Sequence, residues 1–326
     1  MGMTRRQVLS APLAFAAMVS NACSGPDKRA GGASAGTGGP DELFAETASF
    51  ETVVGTPQRI MVGLTTGDGR VLHGGQVRFT FAPVDAESRA KAFSVDAPFL
   101  AVPRSATSPS VASIGGAGDG IGVYAANAVT FTEPGFWTIT VLVDLARRQR
   151  LETAVEVLLT PRVPAPGEAA PRTKNAIAAS SDTPIEAIDS RSGPAGLAEL
   201  ADPLLHRESV ATLVADGRPG VVIVSTPAFC VSKFCGPLTD IVSDIAGEYA
   251  NGSVAEKSVG FVHLEVWRSF EKNQVNPTAA EWITNRGAAG NEPWIFLIDR
   301  SGRITHRWDN LVGEADLRQG IAALTK

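Results

Sequence analysis

The chain has 326 residues, of which 44% are hydrophobic and 19% charged, and its formal net charge is -5. That length exceeds what one ordinary core fills, so two domains are expected, and the composition is that of a globular protein. An acidic balance with no basic cluster excludes nucleic acid as a partner.

The N-terminus reads as an address. Arg5 and Arg6 precede a short apolar stretch from Val8 to Val19, broken by Pro12, and small or polar residues lead up to Cys23. The stretch is shorter than the roughly 20 residues that cross a bilayer, so export is predicted rather than a spanning helix. "TRRQVLS" from Thr4 to Ser10 resembles the twin-arginine export motif, with Val8 where phenylalanine is usual. "VSNAC" from Val19 to Cys23 resembles the lipobox of bacterial lipoproteins. That resemblance implies a diacylated Cys23 and a membrane anchor on the extracytoplasmic side of a bacterial envelope; the other reading is a plain cleaved signal or an uncleaved helical tail. Residues 24–41, rich in Gly, Ala and Ser, read as a flexible tether behind it.

From 42 to 160 the pattern is of short β-type runs, "RIMVGL", "QVRFTFAPV" and "FWTITVLVD" among them, punctuated by "TGDG", "HGG" and "EPG". An all-β sandwich is expected, and "GVYAANAVTFTEPGFWTITV" resembles the immunoglobulin-like sandwiches of exported bacterial proteins. Residues 161–181 read as a Pro/Ala-rich linker. From 182 to 326 strands and helices alternate. "VVIVST", "VGFVHLEVW", "WIFLID" and "RITHRW" are strand-like, and Leu238, Ile241, Val242, Ile245 and Tyr249 recur at helical spacing. Thr278 with Glu281 predicts a capping box, and Gly313 with Glu314 and Asp316 predicts the start of a last helix.

Two of the chain's three cysteines, Cys230 and Cys235, lie between the first of these strands and the first helix. In an exported chain whose Cys23 carries lipid they are the remaining pair, placed where a disulfide persists. A staple closing so small a loop contributes only about 2 kcal/mol, so stability is a weak reason for it. The order of elements, with "VVIVSTPAFC" running into "CGP", "NEPWIFLIDRSGRI" and the helix after "GEADL", resembles the thioredoxin-like superfamily, closest to the membrane-tethered proteins of bacterial envelopes. The fold so implied is an immunoglobulin-like sandwich followed by an α/β thioredoxin-like domain. The resemblance also implies a cis proline beside the cysteines, at Pro293 after Glu292, and thiol-disulfide exchange with a protein partner of the envelope.

Four residues separate the cysteines where the family has two. Counting from the strand end makes Cys230 the family's first cysteine, and counting from "CGP" makes it Cys235. Pro237 suits a first helical turn and places Cys235 at a helix N-terminus, which favours a thiolate; Cys230 lies in the approach loop. Glu292 is expected to relay a proton, and Glu265 is a weaker candidate, solvated at a strand end. The alternatives are a non-catalytic binding protein with a structural disulfide, or a copper-delivery protein using His263 or His306 with the thiolates. Both histidines read more simply as ordinary strand residues. No cofactor is expected.

Overall fold

The computed structural model describes residues 41–105, 109–115, 121–179, 182–192 and 199–326. The export signal, Cys23 and nearly all of the tether lie outside the described residues. Among the described residues no helix is long and apolar enough to cross a membrane.

The first ten strands are β1 (Leu43–Thr47), β2 (Thr52–Val53), β3 (Gln58–Thr66), β4 (Val71–His73), β5 (Gln76–Pro83), β6 (Phe93–Ala101), β7 (Ser113–Gly115), β8 (Gly122–Val129), β9 (Gly135–Val143) and β10 (Gln149–Leu158). Alternation makes them strands: in β5, Val77, Phe79 and Phe81 are buried while Gln76 and Arg78 face water. They join in one sheet in the order β2-β10-β9-β5-β6-β8-β3-β4-β7, with β1 added on β3. Strand β6 turns the corner, pairing with β5 over residues 93–98 and with β8 over 99–101. The sheet then folds over, and the Thr47 hydroxyl on β1 donates to the Ala154 carbonyl on β10 at 2.8 Å. Ile60, Val62, Phe79, Phe81, Tyr124 and Trp137 fill the space between the halves.

The rest of the chain carries α1 (Val210–Ala215), β11 (Gly220–Ser225), α2 (Cys235–Ala250), α3 (Val254–Lys257), β12 (Gly260–Glu265), β13 (Trp267–Ser269), β14 (Gln274–Val275), α4 (Pro277–Ile283), β15 (Trp294–Ile298), β16 (Ile304–Asp309) and α5 (Glu314–Ala323). Four strands form a sheet in the order β12-β11-β15-β16. Only β11 and β12 run parallel; the other two pairings are antiparallel. Strands β11, β12 and β15 are buried along their whole length; β11 and β15 are accordingly near-continuous apolar runs, whereas β12 carries His263 and Glu265 into the interior.

The expected fold, an immunoglobulin-like sandwich followed by an α/β thioredoxin-like domain, is not the one the chain adopts. The described residues are mostly β, with sixteen strands against five α-helices, and among them only α2 exceeds ten residues. The first ten strands make a single continuous sheet. Apolar periodicity located helical segments, but it carries no information on strand direction and little on helix length. The capping box expected of Thr278 and Glu281 does not form. Asn276 caps α4 instead, accepting the Thr278 N–H at 3.3 Å, and Glu281 turns away to accept the Thr173 hydroxyl.

Residues 161–178, expected as a spacer, are packed. Val163 and Ala170 join Val222, Val224 and Phe296 in one core, and Thr173 is fully buried, accepting the Trp282 indole N–H at 2.9 Å. A second core crosses between the two parts of the chain, bringing Met61, Val123 and Ala125 together with Ile295, Leu311 and Leu317. This explains why consecutive residues Ile60, Met61 and Val62 are all buried: β3 turns one face to its own sheet's interior and the other to the C-terminal part. Polar ties reinforce the junction. Asp309 accepts the Phe50 N–H at 2.5 Å, Asn310 donates to the Ala48 carbonyl at 2.8 Å, and Arg307 pairs with Glu51 at 2.7 Å.

Candidate functional site

Strand β11 ends at Ser225, residues 226–234 form a loop, and α2 begins at Cys235. A disulfide joins Cys230 to Cys235, with their Cα atoms 6.0 Å apart. Lys233 adopts a left-handed φ of 62°, which lets the loop turn into the helix. The Thr239 hydroxyl bonds the Cys235 carbonyl at 2.8 Å and the Ser225 hydroxyl at 2.9 Å, fixing the first turn of α2 to the end of the strand. Cys235 is fully buried there, beside backbone N–H groups that the helix leaves unpaired. Cys230 is half-buried, with the Ser232 hydroxyl 3.2 Å from its sulfur. The two alignments of the sequence are thus separated by exposure, with Cys230 the sulfur that solvent reaches.

Glu292 and Pro293 come to the same place. The peptide bond between them is cis, and it directly precedes β15. One Glu292 carboxyl oxygen and both cysteine sulfurs all lie within 4.8 Å of one another. Glu292 Oε2 is buried and has no hydrogen-bond partner. Burial pushes the Glu292 pKa up to about 8, and the neighbouring Glu265 carboxyl adds to the rise against a hydrogen bond from the Thr226 backbone. Glu292 is therefore a neutral acid at pH 7.

Behind it lies a row of buried ionisable groups. Glu265, expected to be solvated, is 1% exposed and accepts the Ser190 N–H at 2.9 Å and the Trp267 N–H at 3.2 Å. Burial raises its pKa as well. His263 donates from Nε2 to the Ser225 carbonyl at 3.1 Å, and its Nδ1 is 3.4 Å from the Asp189 carboxylate. A carbonyl only accepts, so Nε2 keeps its proton, and a carboxylate facing Nδ1 favours a second one. Burial opposes that charge, but Asp189 outweighs it and the His263 pKa rises.

Asp189 is itself fully paired. Arg191 grips both its oxygens, at 3.1 and 2.8 Å, and His206 Nε2 stands at 3.3 Å. Burial works against the Asp189 charge, yet these partners hold its carboxyl far below the ordinary range. Arg191 reaches on to Asp202 at 2.5 Å and to Asp240 on α2 at 2.8 Å. His206 is held neutral by burial. Asp189, His206 and His263 have a metal-like spacing, within 4.8 Å of one another, but Arg191 already occupies the carboxylate. The cluster is a closed ionic network.

Sequence reasoning missed Asp189, Ser190, Arg191 and His206. Their only trace is a charged dipeptide flanking a serine, next to the supposed linker. Ser190 also accepts the Ala228 N–H at 3.2 Å, so this segment underlies the cysteine loop. His306 is exposed and stacked on Trp308, and among the described residues the ligand-like neighbour of the cysteines is Glu292 rather than a histidine. A cleft of about 260 Å³ lined by Phe50, Glu51, Arg162 and Trp294 contains neither sulfur. Compared with known proteins, the sequence matches no protein-family model and no curated protein.

Proposed function

We propose that the chain carries out thiol-disulfide exchange with a protein partner on the extracytoplasmic side of a membrane, held there through Cys23. One observation carries the reading: the half-buried Glu292 carboxyl, with its Oε2 unpartnered and its pKa pushed up to about 8 by burial, lies beside both sulfurs of the disulfide. A disulfide kept only as a staple has no use for an acid, and burying one without a partner is costly.

In the oxidised chain a partner thiolate attacks Cys230 Sγ. The new partner–Cys230 bond forms as the Cys230–Cys235 bond breaks, and the electron pair goes to Cys235. Glu292 gives its proton to that leaving sulfur, so Cys235 becomes a thiol and Glu292 a carboxylate. A second partner thiolate then attacks the partner's own sulfur in the mixed disulfide. It closes the partner's disulfide and releases Cys230 as a thiolate, with the Ser232 hydroxyl 3.2 Å away to bond it. The partner dithiol loses two electrons and the cysteine pair gains them; the reverse sequence reduces a partner. The export-type N-terminus and the formed disulfide support an extracytoplasmic setting.

Equilibration of the full chain with glutathione and dithiothreitol, followed by alkylation, tests the reading. A reduction potential within roughly -120 to -270 mV supports exchange, and one well below about -300 mV means a structural staple. A second reading, metal capture by the reduced pair, is favoured by the clustering of Cys230, Cys235 and Glu292. Two thiolates and a carboxylate suit Zn²⁺ better than Cu(I), so copper delivery has the weaker support. Retention of stoichiometric metal by the reduced chain through gel filtration, lost in E292Q, is the result that favours capture.

A further inference from the structure

Ten large apolar side chains are exposed among the described residues, and four of them belong to two segments, Phe229 and Val231 to the cysteine loop and Phe270 and Val275 to the β13–β14 hairpin. Phe229 and Val231 flank Cys230 in sequence. Phe270 comes from the turn joining β13 to β14, closed by the Asn273 N–H bonding the Phe270 carbonyl at 3.0 Å. The two phenylalanine rings lie parallel, 1° apart in plane, with centroids 4.2 Å apart, and Phe270 meets the edge of Trp267 at 5.4 Å. Two segments about forty residues apart in sequence thus build an aromatic shelf in water beside the sulfur that solvent reaches. A grouped apolar surface of this kind marks an interaction site, whereas single exposed apolar side chains carry no such meaning.

The same loops carry charge of the opposite sign to the chain as a whole. Lys233, Arg268 and Lys272 are exposed and form no ion pair among the described residues, and Glu271 is the one carboxylate in these two segments. The chain carries a formal -5, so this face is a local positive spot on an acidic protein.

We infer that the shelf docks a polypeptide segment whose cysteine has an aromatic or branched aliphatic neighbour and lies in an acidic stretch. The apolar neighbour covers Phe229 and Phe270, the acidic residues meet Lys233, Arg268 and Lys272, and the cysteine is delivered to Cys230. The inference rests on the exchange reading above, because it is the reactive sulfur that fixes where the partner lies. Charge complementarity of this sort acts chiefly on the rate of encounter and on the choice of partner.

The test uses the reduced full chain and stopped-flow rates with four disulfide probes: hydroxyethyl disulfide, and three peptides with an internal disulfide whose cysteine lies in Glu/Asp-Cys-Phe, Lys/Arg-Cys-Phe or Glu/Asp-Cys-Gly contexts. The acidic aromatic peptide is expected to react about tenfold faster than either other peptide, with its advantage over the basic one fading at high salt. In F270S the ratio of its rate to that of hydroxyethyl disulfide is expected to fall, and in a K272E/R268E variant the preference between acidic and basic peptides to reverse. Equal rates for the three peptides, with hydroxyethyl disulfide still reacting, overturn the docking inference and leave the exchange reading standing. No reaction with any probe overturns both.

Discussion

Two groups of buried charge lie within one site and are built on opposite terms. Around Asp189 every charge has its counterpart: Arg191 grips both oxygens, His263 and His206 flank them, and Arg191 spends its remaining donors on Asp202 and Asp240. Around Glu292 the accounts are left open, with Glu292 Oε2 and the Thr226 hydroxyl without hydrogen-bond partners and a second buried carboxyl, Glu265, nearby. Partners keep Asp189 charged against burial, while burial and the neighbouring Glu265 carboxyl favour a protonated Glu292. The first arrangement fixes a structure, and the second leaves a proton available where sulfur chemistry needs one.

The largest expected effect comes from breaking the paired side. Asp189→Ala leaves His263 buried without its counter-charge and takes from Arg191 one of its three carboxylate partners, and should cost about 3–5 kcal/mol in urea unfolding. A loss under about 1 kcal/mol would show that the network is not structural. Glu292→Gln tests the open side. It keeps the shape and removes the acid, so exchange at pH 7 should slow about a hundredfold, in a protein that folds normally.

The pH dependence of stability sharpens the contrast. Burial pushes the Glu292 pKa up to about 8 from the ordinary 4.5, so between those values the folded chain holds a proton that the unfolded chain has lost. Its contribution to stability is complete below pH 4.5 and is lost as pH rises through 8. Asp189 has a folded pKa below 3.8, so its contribution is present above that value and is lost as the solution is acidified further. In Glu292→Gln the decline of stability between pH 5 and 8 should flatten, while the loss at low pH remains. An unchanged slope would mean that Glu292 is ionised in the folded chain.

Smaller effects are expected from the cross-link and the surface. Reducing the disulfide should lower stability by about 2 kcal/mol, since the loop it closes is short. Arg318→Ala, which breaks exposed contacts with Glu248 and Glu314, should change stability by less than about 1 kcal/mol. A loss from reduction as large as that from Asp189→Ala would make the disulfide a staple first.

Much of the local chemistry was legible in the chain. Cys235 opens α2 with Pro237 in its first turn, Gly313 stands before α5, and the continuous apolar runs are buried strands, because propensity and periodicity act over a few residues. Glu292 was singled out through the resemblance that placed a cis proline at Pro293, and that peptide bond is cis directly before β15. Asp189, Arg191 and His206 were not, since nothing near them in sequence distinguishes them from surface residues. Only contacts across the fold, from residue 189 to 206, 240 and 263, make them a network.

The sequence by itself indicated where the buried strand before the cysteines and the helix opened by Cys235 lie, because propensity and short spacing act over a few residues. The tertiary structure alone decided that the first ten strands make one folded-over sheet, that residues 161–178 pack rather than span, and that the helices stay short around a mostly antiparallel core. It also decided the charge states at the site. Whether a carboxyl is ionised depends on burial and on partners brought from distant segments, and no window of sequence contains those.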